Sequence, residues 1–125
     1  MPDFKKQLTT FVQMLRNIED EFKLHSLTPN EQAVFYTILK SNNIDIRAKI
    51  EGSGPLIVLV HGCPESWYSW RHQIPLLAEN GYSVAAIDVR GYGGSSKPYE
   101  VEAYSMRELT KDVIGVIDAL EFDTA

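Results

Sequence analysis

The chain has 125 residues and a formal net charge of -5 at pH 7, a length typical of one small domain. Hydrophobic residues make up 44% of the chain and charged residues 23%, which excludes an intrinsically disordered composition and predicts a folded protein. The acidic residues are scattered, and no basic stripe or patch accompanies them. Nucleic acid is therefore not expected as a partner.

Cysteine content and apolar runs bear on the compartment. Cys63 is the only cysteine, so an internal disulfide is excluded and a structural zinc site cannot be built from cysteines. The N-terminus mixes polar and apolar residues instead of presenting the apolar core of a secretion signal. The longest apolar run is too short to cross a bilayer. We therefore expect a cytoplasmic protein with no membrane span.

Apolar residues recur at helical spacing near the N-terminus, and polar residues fill the opposite face. The apolar positions are Phe4, Leu8, Phe11, Val12, Leu15, Ile18 and Phe22. This pattern predicts one amphipathic helix over residues 3–23. We assign residues 1–28 to a helical arm, which is expected to pack on its own domain, and residues 29–125 to a core domain.

The next segment carries signals for both a helix and a hairpin. Pro29 stands within a capping-box pattern that favours the start of a short helix, whereas the β-branched and aromatic residues at 34–39 favour a strand. Turn residues at 41–43 and an alternating pattern at 44–50 follow. The sequence thus predicts two antiparallel strands, near residues 33–40 and 44–51.

Strands and helices then alternate along the chain. Two apolar runs, at 56–60 and 82–88, are typical of strands buried on both faces. A helix is predicted over 70–80, interrupted or restarted near Pro75 and ended by Gly81, and Ser105 opens a second helix with a capping box. This order predicts an α/β fold in which the last two strands are parallel and joined by a right-handed crossover.

Functional residues are expected directly after the strands, because ligands in open α/β sheets bind beyond the carboxyl ends. Val60 is followed by His61, Gly62, Cys63 and Pro64. Glycine permits a tight turn and proline fixes the backbone, so the Cys63 N–H could be aimed outward as an oxyanion hole requires. A turn that only changes the chain direction fits this tetrapeptide equally well.

Longer segments carry a resemblance to a known family. They are His61-Gly62-Cys63-Pro64-Glu65-Ser66-Trp67-Tyr68-Ser69-Trp70-Arg71-His72-Gln73, Asp88-Val89-Arg90-Gly91-Tyr92-Gly93-Gly94-Ser95-Ser96-Lys97-Pro98 and Tyr104-Ser105-Met106. Over roughly residues 34–122 the chain resembles the epoxide hydrolases of the α/β-hydrolase superfamily. The resemblance implies the N-terminal part of an α/β-hydrolase fold, preceded by an extra helix.

The resemblance also implies a chemistry. In that family an aspartate on the nucleophile elbow attacks an epoxide carbon, a histidine activates the water that hydrolyses the ester, and two cap tyrosines bind the epoxide oxygen. The implied role of Cys63 is to donate its backbone N–H to the oxyanion, within a turn made by His61, Gly62 and Pro64. Trp67 would contact a small hydrophobic substrate such as an epoxide, with no cofactor or metal.

The nucleophile motif of this family is missing from these residues. No Gly-x-Ser/Asp/Cys-x-Gly pattern occurs among the 125 residues, because the segment from Gly91 to Ser95 has glycine at its centre. The nucleophile, the catalytic histidine and the cap are expected beyond Ala125, and this chain alone is expected to be inactive. A haloalkane dehalogenase or esterase of the same fold, or a truncated non-catalytic product, are the alternatives.

Simpler roles compete at several of these positions. Cys63 is interpreted as a small buried thiol, since the sequence places no base beside it. His61, Cys63 and His72 lack a fourth metal ligand, and His61 is predicted to be a hydrogen-bonding turn residue. Asp88 and Arg90 are predicted to hold the glycine-rich loop by hydrogen bonds.

Two further expectations follow from the resemblance. If it extends to backbone detail, the Cys63–Pro64 peptide bond is cis, a geometry found in roughly one in twenty X–Pro bonds. In α/β-hydrolases the third strand lies between the fourth and the fifth, so the strand at 56–60 is expected to have one unpaired side. Self-association through this exposed apolar edge is expected.

Overall fold

The computed structural model describes residues 36–125. It contains strands β1 (Thr37–Ser41), β2 (Ile44–Glu51), β3 (Leu56–Val60) and β4 (Ser83–Ile87), helices α1 (Gln73–Glu79) and α2 (Met106–Ala119), and short 3-10 helices at Trp67–Trp70 and Val101–Tyr104. All four predicted strands are confirmed, with ends that differ by a few residues at most. The predicted helix at 3–23, the capping-box pattern near residue 29 and positions 33–35 of the first predicted strand lie outside the described residues.

The four strands form one mixed sheet in the order β1-β2-β4-β3. The hairpin β1–β2 and the pair β2–β4 are antiparallel, and β3 runs parallel to β4, as the alternation of elements predicts. Asn42 and Asn43, with φ angles of 50° and 63°, make the hairpin turn, where asparagine tolerates the left-handed region. Within the described part of the chain, β3 pairs with β4 alone and forms an edge of the sheet.

Each face of the sheet carries a helix and its own apolar cluster, because successive strand residues point to opposite faces. On the α1 face the buried residues are Tyr36, Trp67, Ile74, Val84 and Ala86. On the α2 face they are Leu39, Ile46, Ala48, Ile87 and Val116. Burial of β4 from both sides explains its continuous apolar sequence.

The first helix ends before Gly81 and the second begins after Ser105, as predicted, and two details of these helices need correction. The predicted start at residue 70 is wrong, because Trp70 ends a separate 3-10 helix. The helix begins at Gln73, in line with the predicted restart near Pro75, which is its third residue, where a missing N–H breaks no intrahelical bond. Gly81 follows the helix with φ of 88°. Ser105 caps α2 by accepting from the Glu108 N–H, but the Glu108 carboxylate binds the Asn42 side chain instead of closing the capping box. Neither helix of this described region is long and apolar enough to cross a membrane.

The burial contrast between two strand isoleucines gives a test of this core. Ile46 is 0% exposed and Ile38 is 51% exposed. We expect Ile46→Val to lower the free energy of unfolding by about 1 kcal/mol, because a methylene is deleted from a packed site. The control Ile38→Val should change it by less than about 0.5 kcal/mol. Urea unfolding of the full chain measures both, and equal losses would contradict the assigned faces.

Candidate active site

Two of the three segments that carry the family resemblance, 61–73 and 88–98, meet beyond the carboxyl ends of β3 and β4, since these strands are parallel neighbours. His61 joins them directly: its Nε2 accepts from the Val89 N–H at 2.9 Å, and its Nδ1 lies 2.7 Å from the Gly62 carbonyl oxygen. A ring nitrogen that accepts cannot also carry the proton, so Nδ1 is the protonated nitrogen and donates. The prediction that His61 is a hydrogen-bonding turn residue is confirmed.

A tight turn follows His61. The Glu65 N–H donates to the Gly62 carbonyl at 3.1 Å, and the Gly62 N–H donates to the Glu65 carboxylate at 3.0 Å. The Cys63–Pro64 peptide bond is cis, as predicted. Among residues 36–125, the Cys63 backbone N–H meets no acceptor. This N–H is therefore free to bind a group placed beyond the sheet edge.

The thiol of Cys63 is exposed, so the prediction of a buried thiol is wrong. The reason is its position on the turn that follows β3, an edge strand of the described sheet. The pKa of the Tyr92 phenol is raised above its ordinary value. The main cause is a hydrogen bond with Cys63, and desolvation of the phenol is the second cause. The Tyr92 ring also meets the His61 ring edge-on, with centroids 5.1 Å apart. The glycine-rich loop and the turn after β3 are thus in direct contact.

Asp88 is the buried anchor of this region. Its side chain is 0% exposed and accepts from Arg47 Nε at 2.6 Å, from the Trp67 N–H at 2.8 Å and from the Gly94 N–H at 3.0 Å. One carboxylate therefore holds three segments: β2, the segment after the turn, and the glycine-rich loop. Arg47 was not singled out from the sequence, although a lone arginine in the alternating β2 pattern was a visible signal.

A second buried ion pair fastens the same loop to α2. Arg90 donates to Asp112 through Nε at 2.8 Å and Nη2 at 2.7 Å, and to the Ala103 carbonyl through Nη1 at 3.0 Å. The paired Asp112 carboxylate raises the pKa of Arg90. The predicted loop-holding role of Asp88 and Arg90 is confirmed. Asp112 was missed; its signal is an acidic residue within the apolar stripe of α2.

The glycines of the loop are required by close contacts. A Cβ added at Gly94 would lie 2.4 Å from the Arg47 side chain, and one at Gly93 would lie 2.3 Å from the Asp88 carboxylate. Any larger residue would push apart the ion pair beneath the loop. The glycines of this loop are therefore explained by its close packing over the buried Arg47–Asp88 pair. A separate finding concerns metals: the described residues contain no group of His, Cys, Asp and Glu that could hold a metal ion.

Trp67 lies deeper than the turn. Its ring is 8% exposed and contacts Tyr36 and Tyr68 edge-on, with centroids 5.6 Å and 5.5 Å away. The indole N–H is buried and has no acceptor in the described region. These contacts place the ring in the α1-side core, while the backbone N–H of the same residue binds Asp88. A contact of Trp67 with substrate stays a prediction.

Comparison with known proteins agrees with this geometry. A model of the α/β hydrolase fold matches residues 55–124, and the chain belongs to this family. Its relatives include Epoxide hydrolase B of Mycobacterium tuberculosis (strain ATCC 25618 / H37Rv), which is 65% identical over 66 residues, covering 53% of this chain and 18% of that protein. Bifunctional epoxide hydrolase 2 of Mus musculus is 47% identical over 92 residues, covering 74% of this chain and 16% of the mouse protein.

The fold of the chain is also similar to that of a solved epoxide hydrolase structure. An epoxide hydrolase from an endophytic Streptomyces superimposes with a TM-score of 0.71 and 50% sequence identity, covering 72% of this chain and 27% of that chain. The resemblance to epoxide hydrolases stated from the motifs is thus confirmed. The chain spans less than a third of the length of each of these three proteins.

The anchoring role of Asp88 can be tested by removing its charge. We expect Asp88→Asn to lower the free energy of unfolding by about 3–5 kcal/mol, because it removes the charge of one partner from the buried Arg47–Asp88 ion pair. Asp45→Asn is the matched control: its partner Lys40 is exposed, so a change below about 1 kcal/mol is expected. Chemical denaturation measures both, and similar small losses would refute the anchor.

The exposure of Cys63 predicts its reactivity. In the native chain, the thiol should react completely with a dithiobis-nitrobenzoate reagent within minutes, because no folding barrier separates it from solvent. The denatured chain provides the reference rate. Reaction limited to the unfolded fraction, seen as a native rate many-fold slower than the reference, would show that the thiol is buried.

Proposed function

We propose that this chain forms the oxyanion-binding part of an epoxide hydrolase, which opens an epoxide to a diol through an aspartyl-ester intermediate. The observation that carries the proposal is the Cys63 backbone N–H, held at the carboxyl edge of the sheet without an acceptor among the described residues. The names of the relatives support an epoxide, and not an alkyl halide or a simple ester, as the substrate.

The proposed role of the Cys63 N–H belongs to the second half of the reaction. The ester forms when a carboxylate oxygen bonds to an epoxide carbon and the carbon–oxygen bond of the ring breaks; the ring oxygen takes up a proton from an acid outside these 125 residues. Water, which gives a proton to a base also outside these residues, then adds to the ester carbonyl, and negative charge develops on the carbonyl oxygen. A backbone N–H at about 2.7–3.1 Å from that oxygen stabilises the charge, and one such donor contributes about 10²–10³ in rate. Collapse of the intermediate releases the diol and restores the carboxylate.

The side chains around the turn act as positioning groups in this proposal. His61 connects the turn to Val89, and Asp88 connects the segment after the turn to β2 and to the glycine-rich loop. The bonds of Asp88 to Arg47 and to the Trp67 N–H are buried, and the His61–Val89 bond is partly buried, so the turn that carries the Cys63 N–H is held in place before substrate binds. Pre-organisation of this kind avoids a reorganisation cost at the moment of reaction.

The remaining parts of the proposal concern substrate and compartment. We propose a small hydrophobic epoxide, held partly by Trp67, and a nucleophile supplied by a segment that these 125 residues do not contain. No cofactor or metal enters the chemistry. The cytoplasm is proposed as the compartment, since an unpaired and exposed thiol is compatible with a reducing environment.

The first test uses the chain itself. Purified residues 1–125 should hydrolyse a styrene-oxide-type substrate no faster than a buffer blank, because an oxyanion donor without a nucleophile and base cannot carry out covalent catalysis. Diol formation is followed by chromatography. Turnover above the blank in a sample free of contaminating hydrolase would contradict the assignment.

The second test measures the N–H in a complete enzyme. Residues 55–124 would replace the equivalent segment of Epoxide hydrolase B, and this chimera is expected to hydrolyse the same substrate. Within the chimera, Cys63→Pro removes the backbone donor and should lower kcat by about 10²–10³, whereas Cys63→Ala keeps it and should stay within a few-fold.

Thermal unfolding of both variants separates loss of the donor from loss of the fold. A folded Cys63→Pro chimera with unchanged kcat would show that the Cys63 backbone N–H does not bind the oxyanion. An inactive but folded parent chimera would count against the proposed function as a whole.

A further inference from the structure

We propose that Asn42, in the turn of the hairpin β1–β2, is a positioning residue that holds the turn after β3 in place through the ion pair of Arg90 and Asp112. The inference rests on the proposed function, in which the backbone N–H of Cys63 on that turn binds the oxyanion. In the described sheet β2 is separated from β3 by β4. An influence of the hairpin on the turn after β3 therefore has to pass through other residues.

The side-chain amide of Asn42 joins the hairpin to two acidic residues of α2. Its Nδ2 donates to Glu108 Oε2 at 2.9 Å, to Asp112 Oδ1 at 3.0 Å and to the Glu108 carbonyl oxygen at 3.3 Å. An amide nitrogen carries two hydrogens and no charge, so it can serve two carboxylates at once. Ser41 Oγ adds a bond to the Asp112 carbonyl oxygen at 2.6 Å. The hairpin turn is thus fastened to α2.

Asp112 connects this contact to the glycine-rich loop. The oxygen that accepts from Asn42, Oδ1, also accepts from Arg90 Nη2 at 2.7 Å, and Oδ2 accepts from Arg90 Nε at 2.8 Å. The side chains of Arg90 and Asp112 are only 5% and 4% exposed. A bidentate pair of this kind has few good geometries, so a shift of the Asp112 carboxylate would move Arg90 with it.

Arg90 in turn lies next to the attachment of the turn after β3. It follows Val89, whose N–H donates to His61 Nε2 at 2.9 Å, and His61 begins the turn that contains Cys63. The path from Asn42 to this turn therefore consists of two hydrogen-bonded side-chain pairs and one backbone bond. All of these contacts are made between residues that the structure describes.

The charges around the amide explain why a neutral donor is needed. Two carboxylates and two cations surround it: Glu108, Asp112, Arg90 and Lys111. The charged residues of the hairpin itself, Lys40 and Asp45, pair with each other. The pKa of Glu108 is lowered mainly by the hydrogen bond from Asn42, which favours the ionised carboxylate. A third carboxylate at position 42 would add a negative charge to a balanced group, and like charges at this distance repel.

A matched pair of glycine variants tests the path in the full chain. Asn42 and Asn43 have φ angles of 50° and 63°, which glycine adopts without strain, so both variants should fold. Asn42→Gly deletes the amide that binds α2, whereas Asn43→Gly makes the same backbone change beside it. The Val89 N–H should exchange at least about tenfold faster in Asn42→Gly than in Asn43→Gly, the factor expected for the loss of one hydrogen bond to a charged group.

The Ala86 N–H, in the centre of the sheet, is the internal reference for this exchange measurement, since a general loss of stability would accelerate both amides. Equal rates at Val89 in the two glycine variants, or an equal acceleration at Ala86, would overturn the proposal.

A second pair, Asn42→Asp and Asn43→Asp, adds the same charge at neighbouring positions. At pH 7 the Val89 N–H should exchange at least about tenfold faster in Asn42→Asp than in Asn43→Asp. Nearby carboxylates raise the pKa of the added carboxyl, so at pH 5 part of it is protonated and can donate again. The ratio of the two rates should therefore fall between pH 7 and pH 5. A ratio that is the same at both pH values would overturn the proposal, because a role of side-chain shape alone does not depend on pH.

Activity is measured in a complete enzyme, so that this inference and the proposed function can fail separately. Residues 36–124 would replace the equivalent segment of Bifunctional epoxide hydrolase 2 of Mus musculus. In this chimera Asn42→Gly should lower kcat by about tenfold, because an N–H that is held less firmly loses part of its contribution of about 10²–10³. KM should change by less than about threefold, since the N–H binds charge that is absent from the ground state. Asn43→Gly should leave kcat within about twofold.

The outcomes distinguish the two claims. A folded parent chimera that is inactive would contradict the proposed function, while the exchange rates of the full chain still decide the path from Asn42. An active chimera in which Asn42→Gly leaves kcat unchanged, or raises only KM, would overturn the positioning role of Asn42.

Discussion

The carboxylate of Asp88 is the interaction on which the rest of this structure depends. It receives one hydrogen bond from a strand, one from the segment after the turn and one from the glycine-rich loop. These three segments are far apart in the sequence, and no apolar contact fixes their relative positions as narrowly as three hydrogen bonds to one group do. The turn that carries the Cys63 N–H is held on one side by the bond of His61 to Val89 and on the other by the bond of Trp67 to Asp88.

Placing this anchor in the interior has a cost that the fold must offset. A buried carboxylate loses its hydration, and its attraction to Arg47 compensates only because the remaining lone pairs are bound by backbone N–H groups. The pair Arg90 and Asp112 repeats the arrangement on the other side of the loop. Such buried ion pairs contribute modestly to the net free energy of unfolding, but removing one partner of a pair lowers that free energy strongly. They therefore define one geometry for the loop.

Periodicity and turn chemistry were sufficient to predict the four strands, their directions and the start of the helix after Ser105. These features depend on local sequence. The ion pairs were not predictable in the same way, because pairing Arg47 with Asp88 requires knowing that β2 lies beside β4. The exposure of Cys63 was mispredicted for a related reason: burial of a turn residue depends on which segments surround it. The start of α1 was placed three residues too early, because Trp70 belongs to a separate 3-10 helix and the α-helix begins at Gln73.

Amide hydrogen exchange, followed residue by residue in the full chain, tests the central claim most directly. The Trp67 N–H, bound to the buried Asp88 carboxylate, should exchange only on unfolding of the sheet. The Cys63 N–H, four residues earlier and without an acceptor among the described residues, should exchange at close to the rate of an unstructured peptide. Strong protection of the Cys63 amide, equal to that of Trp67, would show that this donor is already used inside the fold and would contradict its assignment to the oxyanion.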